Sequence, residues 1–389
     1  MKFNIVALTF VGKSEGFEFA GDTDLIGGAE VYLYDLCKFL IKEGHDVTVI
    51  QPWYKHENFE FDGITVNGIK LHKLFKSQFE FSFIWKKYVD KNTDFKHVHN
   101  FDYAFPFADN KMTGTCHGIN WDCPQIGAEY DKTIYERYIP NLKWSYLKYR
   151  ARYAILHLKK IASVDTFLLR YVQSELPEFR DKIKVIPNYV NTDIFNPDID
   201  GSEIKRKYGV NKFIILFPRN ISYVRGIHFA LDSIKMLSHD YPDILLLITG
   251  DGPQKDWAIK YIQKNNLQEN VALVGHKDHF KDMPYFYAAA DLVIIPTFCS
   301  EGTSLSCLEA MATKKPVVVT NIGGLIDIII DEYNGLICDP SADSLKDKIK
   351  LLIENQRLRK ELSTNALYWI KERYNYNKWT KAYKDFFEI

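Results

Sequence analysis

Short apolar runs alternate with longer stretches of helical period from the first residues onward, the pattern that parallel strands joined by crossover helices produce. Residues 3–10 read as a strand, 29–43 as a helix stopped by Gly44, and 46–51 as the next strand, which is a βαβ opening. The rhythm restarts at Lys212. There FIILFP is a strand, 227–237 a helix and ILLLITG a strand, and VALVG, DLVIIP and PVVVT are further strands separated by helical segments. Two doubly wound α/β halves are expected. Between them VIPNYVNTDIFNPDIDGS is rich in Asn, Pro and Asp and has the composition of a linker, which puts the domain boundary near Asn188.

The 389 residues are enough for two cores. With 46% hydrophobic and 26% charged residues the composition is that of a globular chain, neither disordered nor membrane-spanning. Lys plus Arg and Asp plus Glu each total 50, so no global field draws the chain to nucleic acid. Cys37, Cys116, Cys123, Cys299, Cys307 and Cys338 form no C-x-x-C pair and no Cys/His cluster of metal-ligand spacing, and read as reduced cytosolic thiols. The start MKFNIVALTFVG reads as a buried strand rather than a signal peptide, because Asn4 interrupts the apolar run and no small-residue cleavage site follows. No uncharged apolar stretch approaches 20 residues, so a cytoplasmic protein with at most peripheral contact at the inner membrane face is expected. One segment, 143–160, KWSYLKYRARYAILHLKK, mixes aromatics and cations. It reads either as a basic helix lying on an anionic membrane surface or as a packed helix with solvated charges.

The most informative stretch is 296–324, PTFCSEGTSLSCLEAMATKKPVVVTNIGG, directly after the strand DLVIIP. A strand end leading into a helix N-terminus offers free N–H groups and a favourable dipole to a phosphate, and Gly302 lets the backbone come close. Glu301 stands at the mouth of such a site and Glu309 about two turns further in. Carboxylates suit sugar and ribose diols because their oxygens accept from adjacent O–H donors. The alternatives are a capping box, Ser306-x-x-Glu309, and a surface acid at Glu301. Arg219 and Arg225 bracket a loop after the first strand of the second half, where cations clamp a diphosphate or simply face solvent. His117, after the strand MTGTC, is either a structural hydrogen-bonder or a group that reaches a bound sugar. Gly28 is either a helix-start turn or a point of close phosphate approach. His99 reads equally as strand-end packing. Tyr103 and Trp121 are unassigned aromatics, and the polar loop 12–27 resembles loops that gate sites.

Glu301 and Glu309, with Gly302 after the first and Glu309-Ala310-Met311-Ala312 at the second, resemble the signature of glycosyltransferase family four. The resemblance continues through Lys315-Pro316-Val317-Val318, Gly323-Gly324 and Asn334-Gly335-Leu336. Outside that stretch it extends to Gly27-Gly28-Ala29-Glu30, His97-Val98-His99-Asn100, Thr115-Cys116-His117-Gly118 and Val185-Ile186-Pro187-Asn188. It implies the GT-B fold, two Rossmann-like domains facing each other across a cleft. Residues 1–188 would form the acceptor-side domain and 189–371 the nucleotide-sugar domain, with a C-terminal helix in 372–389 packing back on the first. In that family Arg then Lys stand with one residue fewer between them, so Arg225 in place of Lys is a departure that keeps the charge and alters the reach.

The resemblance also implies a retaining transfer of a hexosyl-type sugar from a UDP- or GDP-sugar to a hydroxyl of a glycan or glycolipid, in cell-surface polysaccharide or lipopolysaccharide assembly. Carried over position by position, His117 takes a hydroxyl of the transferred sugar, Glu301 holds sugar hydroxyls and Glu309 the nucleotide ribose. Arg219 and Arg225 neutralise the leaving phosphate, and Gly28, Gly302, Thr303, Ser304 and Leu305 line the donor. No Asp-x-Asp pair stands in a matching context, since Asp22-Thr23-Asp24 lies in the polar first loop. No metal and no cofactor beyond the nucleotide sugar is therefore expected. A nucleotide-sugar epimerase of the same fold and a catalytically silent sugar-nucleotide-binding protein are the competing readings.

Overall fold

A computed structural model of the chain describes residues 1–12, 14–15, 18–19, 27–71, 77–119 and 140–389. Trp121, the Asp22–Asp24 triplet, Cys123 and most of the 12–27 loop lie outside them. The chain divides into two compact units. The first holds the described residues up to Ile186 together with Ala382–Ile389, and the second holds Pro187–Lys381.

In the first unit the strands are β1 (Lys2–Val6), β4 (Asp46–Trp53), β5 (Glu57–Phe61), β6 (Ile64–Lys70), β7 (Phe95–Val98), β8 (Met112–Cys116), β9 (Lys160–Ser163) and β10 (Ile183–Val185). A separate small hairpin pairs β2 (Ser14–Glu15) with β3 (Glu18–Phe19). The sheet order is β10-β9-β8-β7-β1-β4-β6-β5, parallel except for the β5–β6 edge hairpin. Strand order reverses at β1, which lies between β4 and β7. The helix Pro140–His157 buries Arg150, Ala151, Ala154 and Ile155 and leaves Tyr149 and Leu156 exposed. Inward-facing Arg150 pairs with Asp102 at 3.1 Å and lies 4.3 Å above the Tyr103 ring. The last residues of the terminal helix Tyr376–Phe387 complete this unit, with Phe387 set edge-on to Phe3 and Phe95. No helix among the described residues is long and apolar enough to cross a membrane.

The second unit is a six-stranded, fully parallel sheet. Its strands are β11 (Phe213–Phe217), β12 (Ile244–Ile248), β13 (Val271–Leu273), β14 (Leu292–Ile295), β15 (Val317–Thr320) and β16 (Leu336–Cys338), in the order β13-β12-β11-β14-β15-β16. Helices cover both faces, so both faces of each central strand are buried. Ile214 and Leu216 of β11 join one core with Val293 and Ile295, while Ile215 and Phe217 join the opposite core with Leu292 and Ile294. That is why these strands read as unbroken apolar runs. Strand order reverses between β11 and β14, and in open α/β sheets the crevice at the carboxyl ends of such a pair is where ligands bind.

Candidate functional site

The loops that leave β11 and β14 meet at this reversal, and each contributes charge. Arg219 follows β11 directly, and Arg225 closes the short turn Tyr223–Arg225 before the helix Ile227–Leu237. Glu301 follows β14, four residues before the helix Leu305–Ala312 begins. Oε2 of Glu301 accepts from Arg219 Nη2 at 2.5 Å, from Arg225 Nη1 at 2.5 Å and from the Thr297 hydroxyl at 3.0 Å. Arg219 Nη1 also donates to Ser304 Oγ at 2.9 Å. Side-chain exposure is 9% for Arg219 and 7% for Glu301, against 34% for Arg225, so one guanidinium is enclosed and the other faces outward. Burial by itself would raise the Glu301 carboxyl, but the two arginine charges and the Thr297 hydroxyl outweigh it and hold the group below its ordinary value. Burial weakens the hold of Arg219 on its proton, yet a guanidinium beside a carboxylate stays charged.

Local backbone geometry presents Glu301. Ser300, immediately before it, is in the left-handed region at φ 41°, a strained state for a residue with a Cβ. Gly323 at φ 55° packs so closely that a Cβ there would lie 2.1 Å from the Glu301 carbonyl oxygen, which accepts from Gly324 N–H at 2.7 Å. Across the site, Gly226 at φ 76° lies against the end of β14, where an added Cβ would fall 1.7 Å from the Pro296 carbonyl oxygen. Ser304 is the N-cap of the Leu305–Ala312 helix, and its hydroxyl caps no N–H of that helix. The N–H groups of Leu305 and Ser306 receive no cap from it, while that of Cys307 donates to the Ser304 carbonyl at 3.2 Å. Asn188 Nδ2 fixes the Thr303 carbonyl at 2.6 Å.

Glu309 lies deeper on the same helix and is 3% exposed. Tyr287 donates its hydroxyl to Glu309 Oε2 at 2.7 Å, and His279 Nε2 stands 3.5 Å from Oε1. Burial, with the Glu309 charge, pushes the Tyr287 phenol well above its usual range, so it remains a donor. The capping box is excluded: the N-cap is Ser304, and Ser306 donates to the Pro218 carbonyl instead. Burial likewise excludes a surface acid at Glu301.

The first unit carries a second polar cluster. Parallel register sets His97 of β7 beside Thr113 of β8, and the two-residue period carries the same face on to His99, one residue past β7, and through Thr115 to His117, one residue past β8. His97 bonds both threonine hydroxyls at 2.9 Å. His99 Nε2 is 2.9 Å from the Ala29 carbonyl oxygen and His99 Nδ1 is 3.4 Å from His117 Nε2. Gly28 opens the helix Gly28–Lys42 and is exposed, so the first helical turn and His117 are linked through His99.

Residues 200–369 match the family described as Glycosyl transferases group 1, and residues 26–194 match Glycosyltransferase Family 4. The chain belongs to the group 1 glycosyltransferases. Two uncharacterized glycosyltransferases of Methanocaldococcus jannaschii resemble it. One is 31% identical over 221 residues, 56% of each chain, and the other is 24% identical over 387 residues, 94% of this chain and 95% of that one. The chain therefore spans about half the length of the first relative and nearly all of the second. Among solved structures, sucrose-phosphate synthase from Thermosynechococcus elongatus aligns with TM-score 0.77 at 19% identity, covering 100% of this chain and 98% of that one. Anabaena HepE in complex with UDP-glucose aligns with TM-score 0.70 at 17% identity over 100% of both chains. These likenesses show the GT-B fold.

In this glycosyltransferase the structure brings Arg219, Arg225, Glu301 and Ser304 into one hydrogen-bonded group, with Gly302, Thr303 and Leu305 in the same loop and helix start. Glu309 has partners of its own, Tyr287 and His279. Sequence reasoning missed Thr297, Tyr287 and His279. Thr297 directly follows the Pro that ends the β14 run, and its only signal is that position. Tyr287 and His279 approach Glu309 from a segment with no motif, so nothing local marks them.

Proposed function

We propose that this chain is a retaining glycosyltransferase that moves a sugar from a UDP- or GDP-sugar to a hydroxyl of a glycan or glycolipid. The observation that carries the reading is the convergence of Arg219 and Arg225 on one carboxylate oxygen at the strand-order reversal, beside an uncapped helix N-terminus. Two guanidinium groups beside a helix N-terminus form a cradle for a diphosphate, and there they stabilise charge as it develops on the leaving group. The UDP-glucose in HepE supports the donor class.

In the reaction proposed, the acceptor oxygen bonds to the anomeric carbon as the bond from that carbon to the diphosphate oxygen breaks on the same face. The departing phosphate takes the acceptor proton. Arg219, Arg225 and the N–H groups of Gly302 to Leu305 neutralise the phosphate. Glu301 holds sugar hydroxyls, Glu309 the ribose diol and His117 a further hydroxyl of the sugar. The Gly28 turn lines the donor. Transfer is proposed to need no metal, because no Asp-x-Asp pair stands in a matching sequence context. The cytoplasmic face of a membrane, in cell-surface polysaccharide or lipopolysaccharide assembly, is the proposed setting.

The test is a thermal-shift panel of UDP- and GDP-sugars on wild type and Glu309→Ala, followed by product analysis with the donor that binds. A ligand at about 100 times its Kd stabilises the native state by roughly 2.7 kcal/mol. The reading requires a shift that Glu309→Ala abolishes, a product that keeps the donor's anomeric configuration, and activity that survives chelation. Donor isomerised without acceptor would make the chain an epimerase. Binding without turnover would make it a silent binding protein.

A further inference from the structure

The Ala29 carbonyl, His99 and His117 form a chain in which each hydrogen-bond role dictates the next. A carbonyl oxygen only accepts, so His99 Nε2, 2.9 Å from Ala29 O, carries a hydrogen. His99 is 1% exposed, and burial pushes its pKa down to about 4, so the ring is neutral and its Nδ1 is a bare lone pair. His117 Nε2, 3.4 Å from that lone pair, must be the donor. His117 is itself held neutral by burial and by the neighbouring imidazoles His99 and His97, against a hydrogen bond to the His99 backbone that works the other way; with its one hydrogen on Nε2, Nδ1 is left as an acceptor. Packing fixes the rings: their centroids are 4.2 Å apart, and the Tyr32 ring stands edge-on to His117 at 4.9 Å. The remaining imidazole is already committed, since both nitrogens of His97 engage threonine hydroxyls.

We infer that His99 is a positioning residue that locks His117 in the Nε2–H tautomer, so that His117 offers a bare Nδ1 to its ligand. Such a nitrogen accepts from a hydroxyl and cannot donate to a carboxylate. Resting on the transferase reading above, this assigns the sugar group facing His117 to the hydroxyl class, neutral hexoses rather than uronic acids. The anchor is a backbone carbonyl in the first turn of the Gly28–Lys42 helix, so the tautomer depends on where that helix begins.

The experiment uses the whole chain, labelled with 15N-histidine, and reads two-bond proton–nitrogen couplings, which tell a protonated ring nitrogen from a bare one. His117 signals are identified by their loss in His117→Gln. The expected result is a neutral His117 with hydrogen on Nε2 near pH 7.5, and in His99→Gln a mixture of the two tautomers. In His99→Asn, whose amide oxygen takes the place of the Nδ1 acceptor, the Nε2–H form should persist. A hydrogen on Nδ1 of His117 in the wild type overturns the inference, and so does an unchanged tautomer in folded His99→Gln. Should His99→Gln not fold, the wild-type spectrum and His99→Asn still decide. These spectra need no substrate, so they stand apart from failure of the transferase reading. The ligand arm compares a UDP-hexose with the corresponding UDP-uronate. His117→Gln, which regains a donor, should narrow the preference for the hexose, and equal binding of both sugars by the wild type overturns the substrate assignment.

Discussion

Replacing Glu301 by Gln separates the ion pairing that the structure shows for its carboxylate from the sugar contact proposed for it. Oε2 engages both arginines at 2.5 Å. The amide is nearly isosteric but uncharged, so Arg219, with 9% of its side chain exposed, is left as an enclosed cation without a counter-charge. Removing one partner of a buried pair costs about 3–5 kcal/mol. Arg225 is 34% exposed and its share is met by water, so the low end, about 3 kcal/mol, is expected for Glu301→Gln.

Ligand binding should move the opposite way. Two unit charges 4 Å apart interact by about 4 kcal/mol at an effective dielectric of 20. In the wild type a diphosphate must draw the guanidinium groups away from Glu301. In the variant it meets them unengaged. Recovery of about a third of that interaction, about 1.4 kcal/mol, is a tenfold tighter Kd for UDP. UDP lacks the sugar that Glu301 is proposed to hold, so transfer should fall even as UDP binds better. Denaturant unfolding gives the first quantity, and calorimetric titration with UDP the second. Unchanged stability would mean that Glu301 does not hold Arg219. UDP binding equal to or weaker than wild type would refute the diphosphate clamp.

Two further outcomes are expected. Gly226→Ala puts a Cβ 1.7 Å from the Pro296 carbonyl oxygen at a left-handed φ, so the Arg225 turn must move. A loss of at least about 1–2 kcal/mol in stability and weaker UDP binding should appear together, and a variant with wild-type melting temperature and UDP affinity would contradict the packing. His97 and His99, with pKa values lowered by burial to about 3 and about 4, stay neutral when folded and titrate at about 6.5 when unfolded. Stability is therefore full above pH 6.5 and is lost as pH falls toward the folded values. The loss is about 2 kcal/mol for each histidine by pH 5. A transition of the first unit that is flat between pH 7.5 and 5 would show that these rings are not held neutral.

The alternation of apolar runs and helical stretches, the restart at Lys212 and the Glu301–Glu309 stretch are written in consecutive residues. Strand and helix formation depend on local period and burial, so these were legible without coordinates. The strands of the second unit read well because both faces of its sheet are covered, which makes them continuous apolar runs. The edge hairpin of β5 and β6 was not legible: Glu57–Phe61 alternates half-buried and exposed positions and has no apolar run to announce it. At the site, sequence could nominate Arg219, Arg225, Glu301, Glu309 and His117. It could not say that both arginines share one oxygen, nor that Thr297, Tyr287 and His279 fix the carboxylates.

Those pairings join residues far apart in the chain, 82 positions for Arg219 and Glu301. Only the order of strands in the second sheet, with β11 beside β14, brings their loops together. The tautomer of His117 depends likewise on a carbonyl contributed by a different element. Composition and period determined that this chain would make two mainly parallel sheets. Strand order determined which loops meet, because hydrogen-bond roles and ion pairs belong to distances in space and not to spacing along the chain.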